Sequence, residues 1–149
     1  MNIEVKFEGI KSSQLITKSG QVLLKIYWVN NGVYYPDKDW IDFAFVILGW
    51  WITTILKLIE GQQEGEFMFM DGPYSIKAKY NSKTGIVELY PKGIDCLWNI
   101  HITKIIEEII KALTKISEEI KNGNFEDKEQ FFVNKGLKLL EEALLKIKS

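Results

Sequence analysis

From Phe43 to Leu56 the chain runs 14 residues without a charge. At 100° per residue, a helix holding this stretch is apolar almost all round. Only Asp42, Gly49, Thr53, Lys57 and Glu60, with Val46 among them, form a narrow stripe for water. Such a helix has to be covered on nearly every side, by lipid or by other layers of protein. A bilayer crossing takes about 20 apolar residues and is usually flanked by basic clusters. This stretch is too short and has no such flank, so a central helix buried under further elements is the expected solution. Asp39 is placed to cap its first N–H groups, Asp42 falls in its first turn, and Gly61 follows Glu60 as the residue that ends it.

The covering layers are legible from periodicity. Ile3, Val5 and Phe7 alternate with polar residues as a first strand. Gln14–Lys18 and Gln21–Val29 flank Ser19-Gly20 as an expected hairpin. Asn30-Asn31-Gly32 tolerates positive φ, and Val33-Tyr34-Tyr35 follows before Pro36. Four further strands are expected at Glu66–Met70, Tyr74–Tyr80, Ile86–Tyr90 and Ile94–Ile100, joined as an antiparallel meander by turns at Asp71-Gly72-Pro73, Asn81–Gly85 and Pro91-Lys92-Gly93. Tyr74, Ile76, Ala78 and Tyr80 should face a core, opposite Ser75, Lys77 and Lys79. Phe67-Met68-Phe69-Met70 has no polar side and is expected to be covered on both faces.

Two helices close the chain. Ile105, Ile106, Ile109, Ile110, Leu113, Ile116 and Ile120 form one stripe over Thr103–Lys121, with Gly123 as a stop. A last helix spans Asp127–Lys148, with Phe131 and Leu145 outside its apolar arc. The short Asn122-Gly123-Asn124 link makes these two an antiparallel pair. The expected fold is α+β: a mainly antiparallel sheet packed on a long central helix, with a C-terminal antiparallel helix pair. At 149 residues, one domain over 1–149 is the expected organisation.

Charge and cysteine content narrow the chemistry. The net charge is −1, and all 19 basic residues are lysine. Without arginine, base readout and bidentate phosphate capture lose their usual donor, and Lys77 with Lys79 is too small a stripe to track nucleic acid. Nucleic acid and membrane are therefore not expected partners. Cys96 is alone, so no intrachain disulfide can form, and Met1–Lys6 lacks the apolar run of a signal peptide; a cytoplasmic protein is expected. Cys96 and His101 are too few for zinc, and read as a small core residue and a helix-start residue. Asp37, Asp39 and Asp42 could hold a metal or do acid/base chemistry, but acids at a helix start are explained by capping alone. No phosphate-cradling glycine loop and no nucleophile elbow is present. The expected protein is not an enzyme and uses no cofactor or metal.

Aromatic residues make up 13% of the chain, and several stand in adjacent pairs whose members must diverge: Tyr34 with Tyr35, Trp50 with Trp51, Phe131 with Phe132. Some of these should reach the surface, where aromatic anchors supply much of the affinity of protein interfaces. Candidate partner-binding residues are Tyr34, Tyr35, Asp37, Asp39, Asp71, Tyr74, Phe131 and Phe132. A small apolar-ligand carrier with a Trp/Phe/Met-lined pocket between sheet and helix is the alternative. A hydrolase using Asp37, Asp39 or Asp42 with His101 is a third reading.

Two stretches, Trp40-Ile41-Asp42-Phe43 with Leu48-Gly49-Trp50-Trp51, and Phe67-Met68-Phe69-Met70-Asp71-Gly72-Pro73-Tyr74, resemble small bacterial proteins encoded beside polymorphic toxins as their immunity proteins. The resemblance covers about positions 26 to 90 and leaves out the C-terminal helices. It implies a stoichiometric inhibitor that binds a cognate toxin and blocks its active site or its access to target; a monomer or homodimer is expected. It carries over no catalytic residue and no interface position.

Overall fold

A computed structural model of the chain, described for residues 1–7, 22–121 and 127–148, divides the strands between two antiparallel sheets rather than one. In the first, β2 (Leu23–Asn30) is central. β1 (Asn2–Lys6) lies along one side of it, from Asn2 opposite Val29 to Lys6 opposite Lys25. Two short strands share its other side. β3 (Val33–Tyr35) pairs with Trp28–Asn30 and β4 (Ile41–Phe43) with Leu23–Lys25, and the Ile26 N–H bridges the gap to the Trp40 carbonyl at 2.8 Å. Asn31 (φ +49°) and Gly32 (φ +78°) make the β2–β3 turn, the two left-handed residues that a tight hairpin with right-twisted strands requires. The expected partner strand at Gln14–Lys18 and its Ser19-Gly20 turn lie outside the described residues.

The second sheet is the expected meander: β5 (Glu64–Met68), β6 (Ser75–Asn81), β7 (Ile86–Pro91) and β8 (Trp98–His101), each paired with the next. Ile76 and Ala78 on β6 are buried and Lys77 and Lys79 exposed, as the alternation predicts, but Ser75, expected on the wet side, is buried. The Phe-Met run differs from expectation. Phe67 and Phe69 are buried, but Met68 and Met70 are 46% and 49% exposed. The run obeys period two after all, with the flexible thioethers forming its outer side.

The long helix α1 (Ala44–Ile59) begins later than its sequence suggests. Ile41–Phe43 are taken by β4, because Ile41 and Phe43 fall on one side and Asp42 on the other when they pair with β2. Asp42 is therefore not in the first turn. Asp39 does not cap the helix either: it sits at φ +60° in the preceding loop, and the N-cap Phe43 has no side-chain cap. The other end is as expected. Gly61 (φ +122°) follows the C-cap Glu60, its N–H donates to Leu58 O at 3.3 Å, and Gln62 N–H donates to Lys57 O at 3.0 Å, the paired bonds of a Schellman end.

Ala44, Ile47, Leu48, Trp51, Ile52, Ile55 and Leu58 of α1 are buried, and the helix touches both sheets and both later helices. Trp28 of β2 meets Trp51 at 5.5 Å and Phe67 of β5 at 5.1 Å between ring centroids, so one aromatic cluster joins sheet, helix and sheet. α2 (Ile102–Lys121) and α3 (Asp127–Lys148) pack on each other. Gly136 of α3 fits where a Cβ would stand 3.1 Å from Ile52 and 3.2 Å from Leu113, so the three helices meet at a residue without a side chain. The Asn122-Gly123-Asn124 link falls outside the described residues. Phe131 and Leu145 are 69% and 70% exposed, where the helical arc puts them. The coarse expectation of an α+β chain with antiparallel strands holds, and the single sheet becomes two.

Candidate contact surface beside the Asp42 network

Asp42 is 0% exposed, and a carboxylate removed from water is tolerated only where its oxygens accept hydrogen bonds. Three N–H groups supply them. Oδ2 accepts from Trp40 Nε1 at 3.0 Å and from the Asp71 backbone at 3.2 Å, while Oδ1 accepts from the Phe43 backbone at 2.7 Å. The first and third bonds are local, and the second crosses from the first sheet to the turn after β5. Asp42 thus fastens the loop between β3 and β4 to the Asp71-Gly72-Pro73 turn.

Rings complete the joint. Trp40 stands edge-on to Tyr74 at 5.1 Å, and Tyr35 contacts Tyr74 at 6.0 Å and Phe69 at 5.9 Å. Gly72 has φ +98°, and a Cβ there would lie 3.0 Å from the Tyr74 ring, so this turn needs glycine for both its backbone and its closeness to the tyrosine. Below the rings, the Tyr35 hydroxyl accepts the Ser75 N–H at 3.1 Å and lies within donating reach of the carbonyls of Ser75 (3.0 Å) and Lys92 (2.8 Å). Burial holds its phenol above the usual tyrosine pKa.

Of the eight expected contact residues, Tyr34, Asp37 and Asp39 lie on the β3–β4 side of this joint and Asp71 and Tyr74 on its far side, with Tyr34 on the face of its strand opposite Tyr35. Tyr34 is 40% exposed; its ring is 6.0 Å from Tyr27, and the Lys38 ammonium sits 5.7 Å over it. Asp37 and Asp39 are exposed in the adjoining loop, where Asp39 pairs with Lys6 at 3.5 Å. Asp71 is exposed and Tyr74 half-buried across the joint. Tyr35 is withdrawn from the set: at 2% exposure, its ring and hydroxyl are consumed in joining the two sheets. Phe132 packs on α1, 5.3 Å from Phe45, beside Gly49, and Phe131 is exposed next to it on α3, so this pair belongs to a different part of the surface. Trp50, 40% exposed while Trp51 is buried, completes the divergence of the adjacent pairs.

Sequence reasoning missed Ile41, Met68 and Met70, all more than 40% exposed. The apolar patterning places each in a covered element, and the strict alternation along Phe67–Met70 is the signal that separates the methionines.

Two members of the hydrolase reading, Asp42 and His101, are each engaged in structural hydrogen bonds. Asp42 is fully engaged as above, whereas His101 ends β8 and caps α2, its Nδ1 accepting the Thr103 N–H at 3.3 Å and bonding the Thr103 hydroxyl at 2.8 Å. Cys96 is half-buried against the core. Among the described residues, no three His, Cys, Asp or Glu side chains group to hold a metal ion, and no helix is long and apolar enough to cross a membrane. Where a carrier pocket was expected between sheet and helix, Trp28, Trp51, Phe67 and Phe69 interlock at ring separations of 5.1–5.5 Å. Four of the surface grooves, of about 250 to 610 Å³, have no Trp, Phe or Met in their walls.

No protein-family model, curated protein or solved structure matches the chain.

Proposed function

We propose that this chain is a non-catalytic protein-binding protein of the immunity type, which neutralises a cognate bacterial toxin by occupying its surface. The observation that supports this reading is the pre-fastened corner around Asp42. Exposed Tyr34, Ile41, Met68 and Met70 lie with Asp37, Asp39 and Asp71 on elements that the buried carboxylate and its ring contacts hold in place. Groups presented on elements already fastened in place lose little conformational entropy on binding. Aromatic anchors ringed by polar groups are the usual composition of a contact patch.

The test is co-expression with the product of the toxin-like gene next to its own, scored as survival and as a co-purified complex. Protection by the native chain and its loss in the Tyr34→Ala, Asp71→Lys double variant, with that variant still folded by circular dichroism, is the expected result. Recovery of no complex and no protection by the native chain would reject the reading. Phe131→Ala measures in the same assay whether the α3 surface contributes.

A further inference from the structure

β6 runs away from the Asp42 corner, and at its far end the β6–β7 turn, the start of α2 and the end of α3 enclose a groove of about 460 Å³. Lys83, Lys146, Lys148, Ser82, Thr84 and Thr103 line it, and among the described residues no aspartate or glutamate does. A chain of net charge −1 thus carries a groove whose charged side chains, among the described residues, are all lysines, a local excess of positive charge that the total conceals.

The turn supplying Lys83 is held firmly. Asn81 Oδ1 accepts the Lys83 N–H at 3.0 Å and the Thr84 N–H at 3.4 Å, and Gly85 O accepts the Ile102 N–H at 2.8 Å. The His101 ring lies so close over Gly85 (φ +77°) that a Cβ there would be 2.3 Å from Nε2. Because His101 Nδ1 and the first α2 amides are already bonded, the groove does not depend on a free helix terminus. Lys146 has an interaction of its own, whereas Lys83 and Lys148 form no ion pair among the described residues. Tyr80 and Ile59 give the groove an apolar wall.

We propose that this groove binds a small phosphate-bearing anion, with the Lys83 and Lys148 ammonium groups reaching it from opposite walls and the Ser82 hydroxyl donating between them. Its volume is in the range of small-molecule sites. A tetrahedral group with several acceptor oxygens suits donors that converge from separate elements, and lysine binds phosphate as a point charge without needing arginine's fork.

Inorganic pyrophosphate titrated into the full chain at low ionic strength, followed by 1H–15N spectra, tests this. Shifts are expected at Ser82 to Gly85, Thr103 and Lys148. The Lys83→Gln, Lys148→Gln double variant should bind about tenfold more weakly, with an unchanged melting temperature because both side chains are exposed. Lys135→Gln with Lys138→Gln, exposed lysines on α3, should leave binding as it was. Shifts spread evenly over all surface lysines, affinity unchanged in the Lys83, Lys148 variant, or equal binding of citrate at similar charge would each overturn the proposal.

Discussion

Each sheet brings one edge strand against a helix, and the two edges are sealed by different chemistry. On β5 the outward carbonyls are met by neutral donors of α1: Trp51 Nε1 to Met68 O at 2.8 Å, and Thr54 Oγ1 to Glu66 O at 2.9 Å. On β1 the groups are ionic and come from α2. Glu108 Oε1 accepts the Ile3 N–H at 3.0 Å, and the Lys115 ammonium donates to the Val5 carbonyl. Unpaired strand edges invite pairing with other chains, so both seals protect the molecule as well as hold it together. The reason they differ lies in the helices. α1 is covered on most sides, and an ion there would lose its hydration without recompense. α2 has a wet face, from which Lys104 (3.2 Å) and Lys111 (3.5 Å) reach back to the 3%-exposed Glu108 carboxylate while keeping their own tips near water.

The neutral seal should be the costlier to break, because its main donor is also a core ring. Trp51→Ala removes the bond to Met68 and the ring contacts with Trp28 and Phe69. A loss of about 3 to 5 kcal/mol in urea unfolding is expected, and a loss below that of Glu108→Ala would break the comparison. Glu108→Ala strips the Ile3 N–H of its acceptor and leaves Lys104 and Lys111 without theirs, for about 1.5 to 3 kcal/mol. Its specific signature is faster hydrogen exchange at the Ile3 amide, with β5 amides unchanged.

How much of this arrangement is visible in the amino-acid order depends on whether it is local. Turns at Asn31-Gly32, Gly61 and Gly72 were legible because glycine and asparagine answer to backbone angles within a few residues. α2 and α3 were legible from a single apolar stripe each. The start of α1 was not, because acids before an apolar run look like caps, and only pairing with β2 recruits Ile41–Phe43 into a strand. Asp42 shows the same limit at the candidate surface: its partner at Asp71 is 29 residues away, and no periodicity marks that contact. The exposed Tyr34 and the buried Tyr35 could be predicted to diverge, but which one faces water is decided by Ser75 and Lys92 on the other sheet.

Tyr35 joins the sheets between the two seals, and its removal should cost less than that of Glu108. Tyr35→Phe leaves the Ser75 N–H without its acceptor, for about 1 to 2 kcal/mol. Since burial raises the folded-state pKa of this phenol, its share of stability is complete below the ordinary phenol pKa of about 10 and is lost as pH rises through the folded value. The melting temperature of the native chain should therefore fall more steeply above that pH than that of Tyr35→Phe. Parallel curves would show that the hydroxyl does not join the sheets as a buried group.

The smallest changes discriminate best between neutral and ionic sealing. Thr54→Val keeps the shape of α1 but withdraws the donor to Glu66 O, and about 1 kcal/mol is expected, the same in dilute buffer and in high salt. Lys104→Gln removes one ion pair from Glu108 while Lys111 remains, for about 0.3 to 0.5 kcal/mol. That loss should shrink toward zero in about 1 M sodium chloride, where screening acts within roughly 3 Å. The pair of variants isolates the sign of the difference from its size, because each acts at one edge and leaves the core rings untouched; the Thr54 hydroxyl also reaches Trp50 O at 3.1 Å, a bond within α1. Equal salt dependence in both would mean that Lys104 adds no ionic contribution to the β1 seal.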